Sequence, residues 1–245
     1  MNVTIRSMKL HGGAFGSRGG YRPSKEELEA ENVDAVIAGA ATNLDRHIRN
    51  MAGFGMPVIV SINRFSSDTD AEINALADAA RSSGAHDVTI TEVHAKGGEG
   101  GKDLAEAVVK AVQDHVAAGR PFTPLFLNDA EIMDKVNAIA TRMYKAKDVY
   151  LEASAKKQLD KIISWGYGKL PVCMAKTQYS FSHDANQLGA PSGFTLPIRE
   201  FRLNAGAGFV VAVLGNMMTM PGLPKRPAAI DMDMDDDGRQ TGVFG

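Results

Sequence analysis

Hydrophobic residues recur at two different spacings in the first half of the chain, and each spacing predicts its own kind of element. Between residues 33 and 51, apolar side chains return every three or four positions, which predicts a long amphipathic helix. Upstream of it, Ser24 and Glu27 have the spacing of a capping box, which favours a helix start. Residues 57–62, PVIVSI, are almost continuously apolar and rich in β-branched side chains, as is typical of a strand buried on both faces.

The alternation of helix and strand continues beyond this point. Thr69 and Glu72 form a second capping-box pair before a predicted helix, and residues 86–93, HDVTITEV, predict the next strand. A further helix is indicated by apolar residues at helical spacing: Leu104, Val108, Ala111, Val112 and Val116. Because strands that alternate with helices through short links pair in parallel, these patterns predict a Rossmann-like parallel α/β domain over residues 24–120.

The pattern changes after the segment GRPFTP, residues 119–124. Two helical stretches, at residues 132–143 and 159–163, are followed mostly by turns and by the strand-like runs PVCMAKT, FTLPIREFRL and FVVAVLG. Helices followed by strands, rather than alternating with them, are typical of an α+β arrangement. We therefore expect a second, smaller α+β domain over residues 121–245.

The first residues predict a strand that has no obvious partner. VTIRSMKL, residues 3–10, is strand-like and runs directly into the glycine-rich HGGAFGSRGG, with no helix to cover it. A lone strand needs neighbours to be stable. We therefore expect this strand to complete a sheet formed by residues that are not in this sequence.

Composition narrows the class of protein. The 245 residues are 44% hydrophobic and 23% charged, as is typical of a soluble globular protein, and the net charge of −2 offers no basic surface for nucleic acid or anionic lipid. No apolar run approaches the roughly 18 residues of a membrane span, and the first twenty residues lack the apolar core of a secretory signal. The single cysteine, Cys173, excludes an internal disulfide and suits a reducing compartment. We expect a soluble, cytoplasmic protein without nucleic-acid or membrane partners.

The glycine-rich stretch VHAKGGEGGKDL, residues 93–104, raises the question of a phosphate site. When Lys102 is aligned with the lysine of the phosphate-loop pattern G-x-x-x-x-G-K-S/T, Lys96 stands where the first glycine belongs and Asp103 where the hydroxyl belongs. The stretch is therefore not a Walker phosphate loop. Two interpretations stay open with about equal weight: a backbone cradle for another anion, or a simple turn before a helix.

Phe65 and His94 are the candidate ligand contacts. Each follows a predicted strand of the same parallel sheet, and ligands collect at the carboxyl ends of such strands. One interpretation is a flat ligand held between the two rings. The alternative is a phenylalanine buried as a plug in the core, which is slightly favoured when no other information is used.

No metal site or hydrolytic site is predicted. The acidic stretch DMDMDDDGRQTG resembles a calcium loop, but its twelfth position is Phe244 instead of the bidentate glutamate, so a solvated acidic hairpin is favoured. The six histidines show no metal-ligand spacing, Cys173 has no cysteine partner, and no serine lies in a G-x-S-x-G elbow.

Several stretches taken together resemble one family. RSMKLHGG, ENVDAVIAGAATNLDRHIRN, PVIVSINRFSSDT, AKGGEGGKDLAEAV, LPVCMAKTQYS and TMPGLPKRPAA occur in this order in formate–tetrahydrofolate ligases. The resemblance runs from about residue 3 to the carboxyl end and covers a little under half of the family's length. It implies ATP-dependent formylation of tetrahydrofolate at N10 through formyl phosphate. It also implies that residues 1–23 are the tail of the family's P-loop domain, whose ATP-handling residues are not in this sequence.

The family resemblance also implies positions for the binding residues. In the family, the pterin lies between the Phe of N-R-F-P and the Trp of W-A-K-G-G-E-G; these positions are Phe65 and His94 here, and Ile90 falls where an apolar residue lines the same pocket. Ser66 replaces the proline and His94 replaces the tryptophan. By analogy with base stacking, worth roughly 1–3 kcal/mol, the smaller ring is expected to cost about tenfold in folate affinity. A loop expected near the nucleotide comprises Thr219, Met220, Pro221, Gly222 and Leu223.

The implied substrates are tetrahydrofolate, formate and ATP with Mg²⁺, and the implied assembly is a homotetramer. A separate P-loop chain is a further expected partner, and these residues alone are expected to show no ligase turnover. The two substitutions in one pocket leave a rival hypothesis open: a non-catalytic paralogue or assembly subunit that keeps the fold. An independent nucleotide sensor is disfavoured, because the sequence contains no Walker pattern.

Overall fold

A computed structural model describes residues 1–13, 23–215 and 226–242. The chain forms mixed α/β structure with parallel sheets and divides into two compact units, Met1–Gly215 and Asn216–Gly245. The first unit holds two clusters of buried apolar residues. One lies among residues 3–80 and the other among residues 132–214.

The first cluster surrounds a parallel three-stranded sheet. Its strands are β1 (Asn2–Val3), β2 (Ile59–Asn63) and β3 (Asp87–Thr91), in the spatial order β1-β2-β3. The first four residues of β2 are buried, so the prediction of a strand covered on both faces is confirmed. The strand predicted at residues 86–93 is confirmed over Asp87–Thr91, and the chain is helical from Val93.

Helices accompany this sheet, and side-chain caps explain where several of them begin. They are α1 (Ile5–His11), α2 (Lys25–Glu29), α3 (Val33–Gly39), α4 (Asp45–Ala52), α5 (Asp70–Ser82), α6 (Val93–Lys96) and α7 (Lys102–Ala117). Both predicted capping boxes are present, at Ser24 with Glu27 and at Thr69 with Glu72. The first box caps only the five-residue α2, whereas the Asn32 side chain caps α3.

The long helix predicted over residues 33–51 is confirmed as one helical run with a π-helical segment inside it. The segment Ala40–Leu44 joins α3 to α4 without a break in helical geometry. Val36, Leu44 and Ile48 along this run are fully or almost fully buried. Ile37 and Met51 fit the same spacing but are exposed, so the helical periodicity located the core-facing side only in part.

The predicted strand at residues 3–10 is wrong beyond its first residue. Thr4 is extended and its hydroxyl accepts a hydrogen bond from the Ser7 N–H, so the chain turns into α1 at Ile5. Ile5 and Met8 then bury on one side of that helix. The short strand β1 pairs with β2 within this chain, so it does not lack a partner. The division into domains at residues 23 and 120 stays a prediction.

The second cluster is built from helices and two small sheets. Helix α8 (Ile132–Ala138) continues into a π-helical segment, Ile139–Met143, and α9 spans Ala153–Ser164. Strands β4 (Asp148–Leu151) and β6 (Thr195–Ile198) pair in parallel. Strand β8 (Phe209–Val213) pairs in parallel with β5 (Val172–Ala175) and antiparallel with β7 (Glu200–Asn204).

The second unit contains a short acidic hairpin. A 3₁₀ turn at Ala228–Ile230 precedes β9 (Asp233–Met234) and β10 (Gln240–Thr241), which pair antiparallel. The predicted acidic hairpin is therefore confirmed. Among the helices of the described ranges, none has both the length and the apolar character required to cross a bilayer.

A buried ion pair joins α1 to α5. The Lys9 ammonium lies 2.7 Å from the Glu72 carboxylate, and both side chains are almost completely buried. Lys9 also donates to the backbone carbonyls of Leu28 and Ala30, and Glu72 accepts from the Asn32 N–H. Burial by itself raises the pKa of Glu72, but these hydrogen bonds outweigh it and hold that pKa below its usual value.

We expect Lys9→Met to lower the free energy of unfolding by about 3–5 kcal/mol, because it leaves a buried carboxylate without its counter-charge. Lys25→Met is the matched control, since Lys25 lies 3.9 Å from Glu29 on the surface and should contribute at most about 1 kcal/mol. Urea unfolding of both variants measures the difference. Because the folded-state pKa of Glu72 is depressed, the wild-type contribution should be lost as pH falls through that pKa. Equal effects of the two variants would contradict the assignment.

Candidate functional site

The carboxyl ends of β2 and β3 lie side by side. Asn63 is paired with Thr91 in the parallel register. The Arg64 N–H then donates to the Thr91 carbonyl at 3.0 Å, and the Ser61 and Thr91 hydroxyls are 3.0 Å apart. These contacts tie the two strand ends together. The segments that follow them, one with Phe65 and one with His94, therefore start from the same edge of the sheet.

Phe65 presents part of its ring to solvent. Its side chain is 38% exposed, so the alternative of a phenylalanine buried in the core is wrong. The Arg6 guanidinium lies over the ring, 4.5 Å from the centroid, and Arg6 is itself held by the Glu29 carboxylate at 3.0 Å. One face of the ring is thus supported by α1, and the exposed part remains available to a ligand.

The turn that carries Phe65 is closed by Asp68. The Phe65 N–H donates to the Asp68 carboxylate at 2.8 Å, and the Asp68 N–H donates back to the Phe65 carbonyl at 3.0 Å. The Asp68 side chain is buried, and this burial raises the pKa of its carboxyl. The position of Phe65 is therefore set by its own loop as well as by Arg6.

Arg6 and Asp68 were missed as site residues in the sequence. Arg6 was assigned to a strand, although Thr4 followed by Ile5 and Met8 has the cap and spacing of a helix start. Asp68 lies three residues after Phe65 in the loop that follows β2, and its carboxylate accepts the Phe65 N–H. Its burial depends on tertiary packing.

The end of β3 exposes apolar side chains. Ile90 is 42% exposed and Val93 is 51% exposed, and His94 lies next to them on the exposed one-turn helix α6. Ile90 is paired with the fully buried Ile62, so both side chains point to the same face of the sheet. Phe65, Ile90 and His94 are accordingly all solvent-accessible near one edge. That they enclose a single pocket stays a prediction.

The glycine loop has the contacts of a turn. Gly97–Gly101 forms a 3₁₀ turn closed by the Glu92 N–H, which donates to the Gly100 carbonyl at 3.0 Å. The Lys96 ammonium pairs with the Glu92 carboxylate, so its charge is already balanced. Of the two open interpretations, the structure therefore favours a turn before α7 over an anion cradle.

The loop predicted near the nucleotide and the question of a metal site remain to be described. The loop Thr219, Met220, Pro221, Gly222 and Leu223 lies outside the described residues. Within residues 1–13, 23–215 and 226–242, no group of three His, Cys, Asp or Glu side chains is arranged to hold a metal ion.

Comparison with known proteins decides the family. The family model described as formate–tetrahydrofolate ligase matches residues 1–244. The chain belongs to the formate–tetrahydrofolate ligase family. The resemblance seen in the sequence is thereby confirmed, and the family is one of ligases.

Curated relatives agree in name and in coverage. The formate–tetrahydrofolate ligases of Lactiplantibacillus plantarum and Maricaulis maris are each 48% identical over 242 residues, and that of Granulibacter bethesdensis is 46% identical over 242 residues. Each alignment covers 99% of this chain but only 40–41% of the relative. The chain thus spans about two-fifths of the length of these ligases.

The glycine loop offers a direct test of its role as a close-packed turn. A Cβ at Gly100 would lie 2.5 Å from the Glu92 carbonyl oxygen, whereas a Cβ at Gly98 would meet nothing within 4 Å. We expect Gly100→Ala to lower the free energy of unfolding by about 1–3 kcal/mol through this backbone clash. Gly98→Ala should be nearly neutral. Thermal and urea unfolding of the two variants measures this, and equal stability would show that the loop is loosely packed.

Proposed function

We propose that this chain supplies the tetrahydrofolate-binding portion of a formate–tetrahydrofolate ligase, with the pterin held between Phe65 and His94 and lined by Ile90. The observation that carries the proposal is the exposure of these three side chains near the carboxyl edge of two adjacent parallel strands. Membership of the ligase family supports the choice of ligand. The proposed ligand is flat, and a flat ring gains most from stacking on exposed aromatic surface.

We call the proposed pair of rings, Phe65 and His94, the folate clamp. Support for its Phe65 half comes from the surroundings of that residue. Arg6 covers part of one ring face and Asp68 holds the backbone, so the ring is oriented before any ligand arrives. A binding group that is already ordered loses less conformational entropy when the ligand binds. Asp68 and Arg6 therefore act as positioning residues in this proposal.

His94 supplies the weaker half of the clamp. An imidazole presents less area than the indole found at this position in the family, and it lies on a helix of only four residues. Stacking on one aromatic side chain is worth roughly 1–3 kcal/mol, and 1.4 kcal/mol corresponds to a factor of ten in affinity. We expect this chain to bind tetrahydrofolate about tenfold more weakly than a version with tryptophan at position 94.

Activation of formate is assigned to other residues. The 245 residues contain no G-x-x-x-x-G-K-S/T pattern, so we propose that MgATP is bound by a P-loop part outside this sequence. The role of the present residues is to bind tetrahydrofolate and orient its N10 toward the activated formyl group. A cytoplasmic homotetramer, a Rossmann-like domain at residues 24–120 and a separate P-loop chain belong to the same proposal.

A second candidate function is a non-catalytic member of the family. It is favoured by the two departures in one pocket, Ser66 for proline and His94 for tryptophan. In that case the fold and its assembly contacts persist while folate binding is lost. Folate affinity therefore discriminates the two candidates.

Isothermal titration of tetrahydrofolate into the purified chain tests the clamp. We expect Phe65→Ala to weaken binding about tenfold or more, because it removes one stacking surface, and His94→Trp to tighten binding about tenfold. Trp165→Ala is the matched control, since Trp165 is an exposed aromatic residue elsewhere in the chain and its loss should leave affinity unchanged.

The outcomes separate the candidates. Binding that is tightened by His94→Trp and lost in Phe65→Ala supports the ligase portion. Absence of binding in both the wild type and His94→Trp would contradict it and favour the non-catalytic member.

We expect the purified 245-residue chain to form no 10-formyltetrahydrofolate from formate, MgATP and tetrahydrofolate, because it contains no Walker pattern. Product formation is measured by the absorbance of the acid-converted product, with one of the curated full-length relatives as the positive control. Turnover by the chain alone would refute the assignment of ATP binding to other residues.

A further inference from the structure

A cavity of about 230 Å³ lies between α4 and the segment of residues 123–145. Four of its lining side chains are basic: Arg46, Arg49, Arg142 and Lys145. The Asn50 amide and the Thr123 hydroxyl add polar groups, and none of the described residues that line the cavity has a carboxylate. We call this cavity the arginine pocket.

Most of this positive charge is not balanced by acids. Arg49 is paired with Asp45 through two hydrogen bonds of 2.8 and 2.9 Å. The other three cations form no ion pair with a carboxylate in the part of the chain that the structure describes. Arg46 instead approaches three backbone carbonyls at 3.4–3.5 Å, and Arg142 donates to the Leu125 carbonyl at 2.7 Å.

The negative ends of two helices balance only part of the positive charge that carboxylates leave unpaired. The carboxyl ends of α4 and of the π-helical segment Ile139–Met143 both line the pocket, through Gly53 and Met143. Each helix end carries about half a negative charge. Four cations, one carboxylate and two helix ends leave a balance of about two positive charges. The helix ends therefore do not neutralise all of the positive charge in the arginine pocket.

The backbone at Lys145 points to a role for its side chain. Lys145 has φ +59°, and it is the non-glycine residue with positive φ in the described part of the chain. This conformation costs an ordinary residue about 1–2 kcal/mol, and glycine adopts it without that cost. Lys145 keeps this strained backbone although glycine would relieve it, and its side chain lines a basic cavity. Such an outlier supports a functional role for the lysine side chain.

Both π-helical segments also lead into the pocket. Ala40–Leu44 ends two residues before Arg46, and Ile139–Met143 contains Arg142. Such segments are found frequently at functional sites. Burial also lowers the pKa of Arg46, with Asp45 acting in the opposite direction, so part of the charge is held away from water.

We propose that the arginine pocket binds a small phosphate group, either inorganic phosphate or a compact phosphate monoester. Guanidinium groups donate paired N–H groups to phosphate oxygens, and Lys145 adds a point charge. Pockets for drug-sized ligands measure about 300–1,000 Å³, so this cavity admits a phosphate with little attached to it and not a nucleotide. The proposal is independent of the folate clamp, which uses none of these residues.

The test is a phosphate titration by calorimetry and by thermal unfolding, with ionic strength held constant by sodium chloride. In the wild type we expect saturable heat and a rise in Tm with inorganic phosphate. Arg142→Met and Lys145→Gly should each weaken the affinity about tenfold. Lys157→Ala is the matched control: it removes the same charge from an exposed helix position outside the pocket and should bind as the wild type does.

Lys145→Gly separates ligand binding from folding. It removes the cation and also relieves the left-handed backbone, so without phosphate its Tm should equal or exceed that of the wild type. A variant that is at least as stable but binds phosphate more weakly cannot be explained by misfolding.

The remaining outcomes either refine or overturn the proposal. Tighter binding of glycerol 3-phosphate than of inorganic phosphate would assign a monoester, and the reverse would assign the free ion. An equal response to added chloride, unchanged affinity in both pocket variants, or tighter binding of succinate than of either phosphate would overturn it.

Discussion

The buried contact between Lys9 and Glu72 connects the parts of the chain on which the folate proposal depends. Lys9 lies on α1, and Glu72 lies in the first turn of α5. The same helix α1 carries Arg6, whose guanidinium supports the Phe65 ring, and Phe65 stands in the turn that leads into α5. A charge pair removed from water tolerates little displacement, because each partner depends on the other for its compensation. The ion pair and the support of the Phe65 ring therefore depend on the same helix, α1.

The parallel register of β2 and β3 supplies the second constraint. It aligns two strand ends, so two segments separated by about one helix in sequence begin at the same edge of the sheet. Exposed apolar side chains at such an edge have a cost in water, which a stacked ligand removes. Val108, Val109, Val112 and Val116 of α7 are exposed by 43–72%, so apolar exposure in this chain is not confined to the carboxyl ends of β2 and β3.

The arginine pocket differs from this edge in its physics. The edge offers flat apolar area, whereas the pocket offers unbalanced positive charge beside two π-helical segments. One surface suits a flat heterocycle and the other a small anion. The two surfaces share no residue, so each can be altered without direct change to the other.

Local sequence determined the elements whose signals are short-range, namely the strand β2 and the capping boxes of α2 and α5. The sequence motifs also determined the family to which the chain belongs. It misassigned residues 5–10, because their apolar positions fit a strand as well as a helix and burial against the core decided between them. Only the tertiary structure brought Arg6 onto Phe65, placed Lys145 in a left-handed conformation and gathered the arginines around one cavity. The contact of Arg6 with Phe65 and the grouping of the arginines join residues that lie far apart in the chain. Packing and charge compensation act through space, and no local pattern records them.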